Sequence, residues 1–303
     1  FVAEADESDG SFLRLSPFCA VVTNIEDDHL EFYGDMEREK DAFVSFLKGV
    51  KKDGFGVACG DHPNVVDILG KNRLPRVFTY GIENEQVDFW GKIVKARKDG
   101  FVFEVSRKGI RIGDFCLNLP GLHNVENALA CIAVGVELGI PVNDMQETLS
   151  SFRGVKRRFE KVGMFRGVLV VDDYAHHPTE MKVVVNAALH FTSGRVVVVF
   201  QPHRYTRTKR LYREMAEALQ EAHQVILLPI YSANEEPIPG VSTELVYREM
   251  LRRGFEKVRF ARDFEEAVTE CQKVSQTGDI IVTMGAGDVW RVGTMLCGKD
   301  GKA

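Results

Sequence analysis

Across residues 152–303, short apolar runs alternate with amphipathic stretches at near-regular spacing. The runs at Val168–Asp172, Arg195–Phe200, Gln224–Pro229, Lys257–Phe260 and Asp279–Met284 predict strands. Helices are predicted after Pro178, Arg207, Ser242, Asp263 and Asp288. Apolar strands separated by helices of about 10–15 residues indicate a parallel, doubly wound α/β sheet, since each parallel pair needs a crossover connection. Ligands of such sheets lie beyond the carboxyl ends of the strands. The unusual polar residues fall there: Asp172-Asp173, Gln201-Pro202-His203-Arg204, Tyr231-Ser232 and Gly285-Ala286-Gly287-Asp288.

Residues 1–151 have a mixed pattern. A buried strand is predicted at Cys19–Ile25, a helix from Met36 to Leu47, strands at Phe55–Cys59 and Val77–Tyr80, and a short helix after Pro63. Between Val87 and Leu119, alternation broken by Lys98-Asp99-Gly100 and Lys108-Gly109 predicts antiparallel hairpins at the sheet edge. Val125, Ala128, Leu129, Ile132 and Val136 then mark one face of a helix that starts near Leu122 and stops at Gly139. The opening Phe1-Val2-Ala3 is strand-like and lacks Met, so an upstream segment is expected.

With 303 residues, the chain exceeds what one core usually serves, and two domains are expected, 1–151 and 152–303. Hydrophobic residues at 45% and charged residues at 27% are the composition of a globular enzyme. A net charge of -5 argues against nucleic acid as a partner. No run reaches the roughly 20 apolar residues that span a bilayer, so no membrane insertion is expected. The six cysteines are scattered without metal-ligand spacing, and with no signal peptide in view this predicts reduced thiols in the cytoplasm.

Several clusters carry candidate chemistry. Glu4, Asp6, Glu7 and Asp9 crowd four carboxylates into six residues and repel one another unless a divalent cation joins them, although a solvated acidic loop is the plainer reading. Thr23-Asn24-Ile25-Glu26-Asp27-Asp28-His29 again places acids and a histidine after an apolar strand. Together the two clusters can hold Mg²⁺ against nucleotide phosphates. In Gly121-Leu122-His123-Asn124-Val125-Glu126-Asn127, His123 and Asn127 share a helix face, where carboxamides suit a base edge or simply cap the helix. Lys156-Arg157-Arg158 offers guanidinium forks at the domain junction, or a solvated basic face. Asp172-Asp173-Tyr174-Ala175-His176-His177 and His203-Arg204-Tyr205-Thr206-Arg207 put ribose acceptors and an anion clamp on adjacent strand ends.

The stretches EADESDGSFL, VVTNIEDDHLEFYGD, LPGLHNVENALA, FRGVKRRFE, VDDYAHHPTE, FQPHRYTRT and MGAGDVW, in order from residue 3 to residue 290, closely resemble the Mur ligase family and its alanine-adding branch. The resemblance implies a central ATP-binding domain, here partial, followed by a Rossmann-like C-terminal domain, with an N-terminal UDP-binding domain missing. The phosphate-binding loop G-x-x-x-x-G-K-[ST] is also absent from the sequence. It further implies ATP and Mg²⁺ as cofactors, with UDP-N-acetylmuramate and L-alanine as substrates joined through an acyl phosphate. By the same resemblance Glu4 and His29 are metal ligands, and His123, Asn124 and Asn127 face adenine. Arg158 meets phosphate, Asp173 meets ribose, and His176, His203, Arg204 and Arg207 surround the acyl phosphate and amino acid. The metal-bridging lysine of several sister ligases is replaced by Phe43, as in the alanine-adding branch.

Other readings stay open: a tripeptide-recycling ligase of the same family, and a non-catalytic fragment that binds nucleotide or a partner. A nicotinamide dehydrogenase is a weaker reading, because no G-x-G-x-x-G follows an early strand.

Overall fold

The computed structural model describes residues 1–74 and 76–298, which form two compact units divided between Phe152 and Arg153. In the first unit a 3-10 turn at Ser11–Arg14 precedes β1 (Cys19–Val22), α1 (Leu30–Tyr33), α2 (Met36–Lys48) and β2 (Phe55–Cys59). Then come α3 (Pro63–Lys71), β3 (Val77–Gly81), β4 (Phe89–Arg97), β5 (Gly100–Arg107), β6 (Ile110–Leu117), α4 (Leu122–Glu137) and α5 (Val142–Ser151). The sheet runs β1-β2-β3-β4-β5-β6. It is parallel from β1 to β4 and antiparallel beyond, so the Gly-containing turns do close hairpins at one edge.

Local chemistry sets the element ends. Asp35 caps α2 by accepting from the Arg38 N–H at 2.9 Å, and Pro63 opens α3 at a position whose N–H would be unpaired anyway. Val125, Leu129 and Ile132 of α4 are wholly buried among β2, β3 and β4, each burial contributing roughly 1.5–3 kcal/mol. Helix and sheet approach closely at Gly91, where a Cβ would stand 2.6 Å from Leu129.

Three expectations are corrected in this unit. Phe1–Ala3 is irregular and exposed, not a strand. Strand β1 stops at Val22 rather than Ile25, because Thr23 and Asn24 turn out to solvent. Helix α5 was not anticipated, although Val142, Met145 and Leu149 have helical spacing and pack into the same core as α4.

The second unit comprises β7 (Glu160–Phe165), β8 (Val168–Asp173), α6 (Pro178–Phe191), β9 (Val196–Phe200), α7 (Tyr205–Leu219) and β10 (Gln224–Leu227). It continues through α8 (Glu244–Arg252), β11 (Val258–Phe260), α9 (Phe264–Val274), β12 (Ile280–Met284) and α10 (Trp290–Leu296). The sheet order is β11-β10-β9-β12-β8-β7. Strands β9 and β12 are buried along their whole length, with an apolar cluster on each sheet face.

Two details depart from the pattern reading. The sheet is not wholly parallel: β7 pairs antiparallel with β8 through the tight turn Arg166-Gly167. Its half-buried, irregular pattern hides it from sequence. Helix α7 starts at Tyr205, two residues before Arg207, so Arg207 lies in its first turn.

Register is what places the second unit's polar residues. Met284 is level with both Asp173 and Phe200, and Phe200 is level with Leu227. The next residues along each strand, Tyr174, Gly285, Gln201 and Leu228, therefore leave the sheet side by side.

Candidate functional site

In the second unit the strand-end residues make a connected polar group. Asp172 is buried and accepts from Arg157 Nε at 2.9 Å and Thr283 Oγ1 at 2.6 Å. Burial pushes its pKa up, against those two bonds. Arg157 also donates to the Gly285 carbonyl at 2.6 Å and lies over the Tyr174 ring, 4.9 Å from its centre. It thus ties the Gly285–Asp288 turn to β8. Arg158 is left 53% exposed by side chain, with Nη1 3.5 Å from Glu180 Oε1.

Asp173, expected to meet a ribose, is enclosed by the fold. It is 4% exposed, and its two carboxylate oxygens accept the backbone N–H groups of Phe159 and Ala175, both at 2.8 Å. Burial pushes its pKa up to about 6. A carboxylate so enclosed shapes the turn and has little surface to offer a ribose.

Glu180 was missed by sequence reasoning, although a Glu three residues after a helix-capping position is a readable signal. Its Oε2 accepts from the His176 N–H at 3.0 Å and lies 3.4 Å from His176 Nδ1. Against burial, the nearby His176 and Arg158 charges hold its pKa below the ordinary value. His176 Nδ1 is 3.1 Å from the Tyr174 carbonyl. A carbonyl only accepts, so that nitrogen carries the proton in this contact.

His203 stacks on Tyr231 with ring centres 5.7 Å apart and planes 11° apart, and its ring centre is 5.7 Å from that of His176. Arg204 takes a left-handed backbone, φ 69°, as the cap of α7, and its N–H donates to the Tyr231 carbonyl at 2.8 Å. Arg207 is buried beside His203. The structure thus joins His176, His203, Arg204 and Arg207, which the sequence reading had grouped, and adds Tyr231 as the platform. Gly287 leaves room for that platform: a Cβ there would stand 2.6 Å from Tyr231 and 2.7 Å from Gln201 Oε1. Guanidinium groups and half-buried imidazoles at one sheet edge suit an anion such as a carboxylate or phosphate.

In the first unit, the loop after β1 meets the loop after β2: His62 Nε2 is 3.1 Å from Glu26 Oε1, and Asn64 Nδ2 donates to the Ile25 carbonyl at 2.8 Å. His29 Nε2 lies 3.5 Å from Glu7 Oε1 and 3.7 Å from Asp28 Oδ2. Glu4, the expected co-ligand, is exposed, and Asp6 and Asp9 cap local turns at Ser8 and Ser11. Among the described residues no three or more His, Cys, Asp or Glu already converge as a cation site. Phe43 packs edge-on against Phe12 at 5.5 Å.

At the start of α4, Gly121 has φ 91°, and a Cβ there would lie 2.3 Å from the His123 ring. Asn124 Nδ2 donates to the Pro120 carbonyl at 2.7 Å, which shapes the helix entry, while Asn127 is exposed and His123 half-buried. Between them Glu126 has its pKa raised to about 7 by burial and then by Asp61 and Glu83.

Comparison with known proteins gives this geometry its context. Residues 2–135 match the Mur ligase middle domain, and residues 157–287 match the Mur ligase, glutamate ligase domain. The chain belongs to the Mur ligase family. It is 47% identical to a UDP-N-acetylmuramate–L-alanine ligase of Geobacter sp. (strain M21), over 97% of this chain and 64% of that protein. It is 46% identical to the ligase of the same name from Geotalea daltonii, over 98% of this chain and 65% of that protein. The chain thus spans a little under two thirds of the length of these curated relatives. Among solved structures, UDP-N-acetylmuramate-alanine ligase from Thermotoga maritima superposes with a TM-score of 0.78 at 26% identity, covering 97% of this chain and 62% of that one. A murein peptide ligase from Psychrobacter arcticus shares the Mur ligase fold, with a TM-score of 0.66 at 22% identity, covering 96% of this chain and 60% of that one. No helix among the described residues of this Mur ligase chain is long and apolar enough to cross a membrane.

Proposed function

We propose that this chain is the larger part of an ATP-dependent ligase that joins L-alanine to the lactyl carboxylate of UDP-N-acetylmuramate, in the cytoplasm, for peptidoglycan synthesis. The observation that carries the reading is the anion-suited group of His176, His203, Arg204 and Arg207, in a chain 47% identical to a relative of that name. In the reaction, the lactyl carboxylate takes the γ-phosphoryl group of ATP and ADP leaves. The amine of L-alanine then attacks the acyl carbon and loses a proton, and phosphate departs as the amide forms.

In this reading Arg158, partly exposed, meets phosphate oxygens, and His123, Asn124 and Asn127 face the adenine. His203, Arg204 and Arg207 hold the amino acid's carboxylate or the acyl phosphate, and His176 orients beside them. Asp173 keeps a positioning role through the turn it shapes. The oxygen-rich donors around His29 and Glu7 suit a hard divalent cation, with Glu4 close by in sequence. Mg²⁺ held there would neutralise charge on the transferring phosphoryl group.

Phosphate release from Mg-ATP with UDP-N-acetylmuramate tests this, across L-alanine, L-serine, glycine, D-glutamate and the murein tripeptide, on the full-length protein. Turnover with L-alanine is expected. Turnover with the tripeptide alone would make it a recycling ligase, and silence throughout would leave a non-catalytic binding protein.

A further inference from the structure

Left-handed backbone is costly for any residue that carries a Cβ, and it persists only where the surrounding structure over-determines it. Seven non-glycine residues among those described adopt it. Lys108 and Arg166 close hairpins with the glycines that follow them. The other five, Arg157, Phe159, Arg204, Ala233 and Asn234, all lie in loops at the polar edge of the second unit's sheet. Arg157 and Phe159 enter β7 beside the end of β8, Arg204 follows β9, and Ala233 and Asn234 follow β10. The first pair brackets Arg158.

Arg157, with φ 58°, is tied down through backbone and side chain alike. Its N–H donates to Glu160 Oε2 at 2.8 Å, and its carbonyl accepts from the Tyr174 N–H at 2.8 Å. Nε donates to buried Asp172 at 2.9 Å and Nη2 to the Gly285 carbonyl at 2.6 Å, while Nη1 is 3.5 Å from the Ala286 carbonyl. One guanidinium therefore joins the entry to β7, the end of β8 and the turn after β12. Phe159, with φ 50°, is buried and donates its N–H to Asp173 at 2.8 Å. Between these two anchored residues Arg158 is exposed and reaches Glu180 only at 3.5 Å. Its guanidinium carbon lies 5.7 Å from the centre of the Tyr174 ring, which Arg157 meets at 4.9 Å.

We propose that Arg157 is a positioning residue that acts through Arg158. By locking the left-handed turn to Asp172 and Gly285, it presents the Arg158 guanidinium to a nucleotide phosphate in one orientation and does not touch that phosphate itself. The proposal rests on the reading of Arg158 as phosphate-facing and assigns the neighbouring arginine the task of holding it. The hold needs the planar fork of arginine, which spans a carboxylate and a carbonyl at once. Lysine is a point charge and keeps one of the two partners at most.

A double-mutant cycle on the full-length protein tests this, read as kcat/KM for Mg-ATP and as Tm. The variants are Arg157→Lys, Arg158→Ala and the two combined. Arg158→Ala should lower kcat/KM by about tenfold or more, as loss of a charged hydrogen bond does. Arg157→Lys keeps a cation beside buried Asp172, so the fold should hold, yet kcat/KM should fall severalfold because Arg158 is misplaced. The double variant should be no worse than Arg158→Ala alone, since Arg157 has nothing left to position. Asp172→Asn, which loosens the same hold from the carboxylate side, should show the same non-additivity with Arg158→Ala. Losses that add would mean that Arg157 acts independently of Arg158, and the proposal would be overturned. It would also be overturned if Arg157→Lys lost its cooperative unfolding transition while Asp172→Asn turned over like wild type. An Arg158→Ala protein as active as wild type would remove the phosphate-facing reading beneath it, and an inactive wild type would remove the ligase reading itself.

Discussion

Arg207 Nη1 donates to His203 Nδ1 across 2.9 Å. Arginine has no acceptor, so the imidazole must accept at Nδ1 and carry its single proton at Nε2. A neutral histidine is thereby held within a cationic group. Burial first, then the charges of Arg207, His176 and Arg204, push its pKa down to about 4.

His203 should therefore titrate near pH 4 by imidazole NMR, and Arg207→Met should move it back toward the ordinary value. The unfolded chain protonates this histidine near pH 6.5, so between about 6.5 and 4 the unfolded state binds more protons. The contribution of His203 to stability is thus present above pH 6.5 and is lost as pH falls toward 4. A titration above pH 6 in wild type would contradict the arrangement.

Asp173 separates a structural from a ligand-contacting role. Asp173→Ala leaves the buried N–H groups of Phe159 and Ala175 unpaired, at a cost of about 2–5 kcal/mol by urea unfolding. The raised pKa of Asp173, about 6, gives it the opposite pH sign to His203: its contribution is full below about pH 4 and is lost as pH rises through 6. Unchanged stability with lost nucleotide affinity would instead return it to the ribose.

Glu137 at the end of α4 is 2% exposed and paired with both Arg76 and Arg107. The two guanidinium groups also lie over Phe78. Removing both arginines strands a buried carboxylate and should cost about 3–5 kcal/mol. Glu137→Gln should cost less, because both arginines keep some solvent. Denaturant unfolding of these two variants should give that order, and the reverse order would contradict it.

Gly287→Ala should act on the site more than on the fold. The new Cβ meets Tyr231, which is exposed and can move, so stability should fall by about 1–3 kcal/mol. Displacing Tyr231 removes the platform beneath His203, and binding of L-alanine by calorimetry should weaken at least severalfold. Unchanged binding would show that the stacking is incidental.

Much of the second unit was legible because its central strands are buried on both faces, which writes them as unbroken apolar runs such as Val196–Phe200. Strand β7 was not, since an edge strand needs only half that pattern. The candidate residues were legible as types, since His203, Arg204 and Arg207 stand out at a strand end. Their relations were not. Nothing in the order of residues says that Asp173 spends its oxygens on backbone, or that Arg157 holds the glycine turn while Arg158 stays open.

The amphipathic periods, strand ends and motif order were thus determined by sequence alone, because they depend on neighbours within a few residues. Tertiary structure decided which charges were buried and what faced them. Glu39 is the clearest case. Along the chain it is one more acid on a polar helix, and only the tertiary packing of α2 buries it to 1% exposure. Burial and charge pairing are sums over groups brought together by long-range folding, and a linear pattern carries no record of those sums.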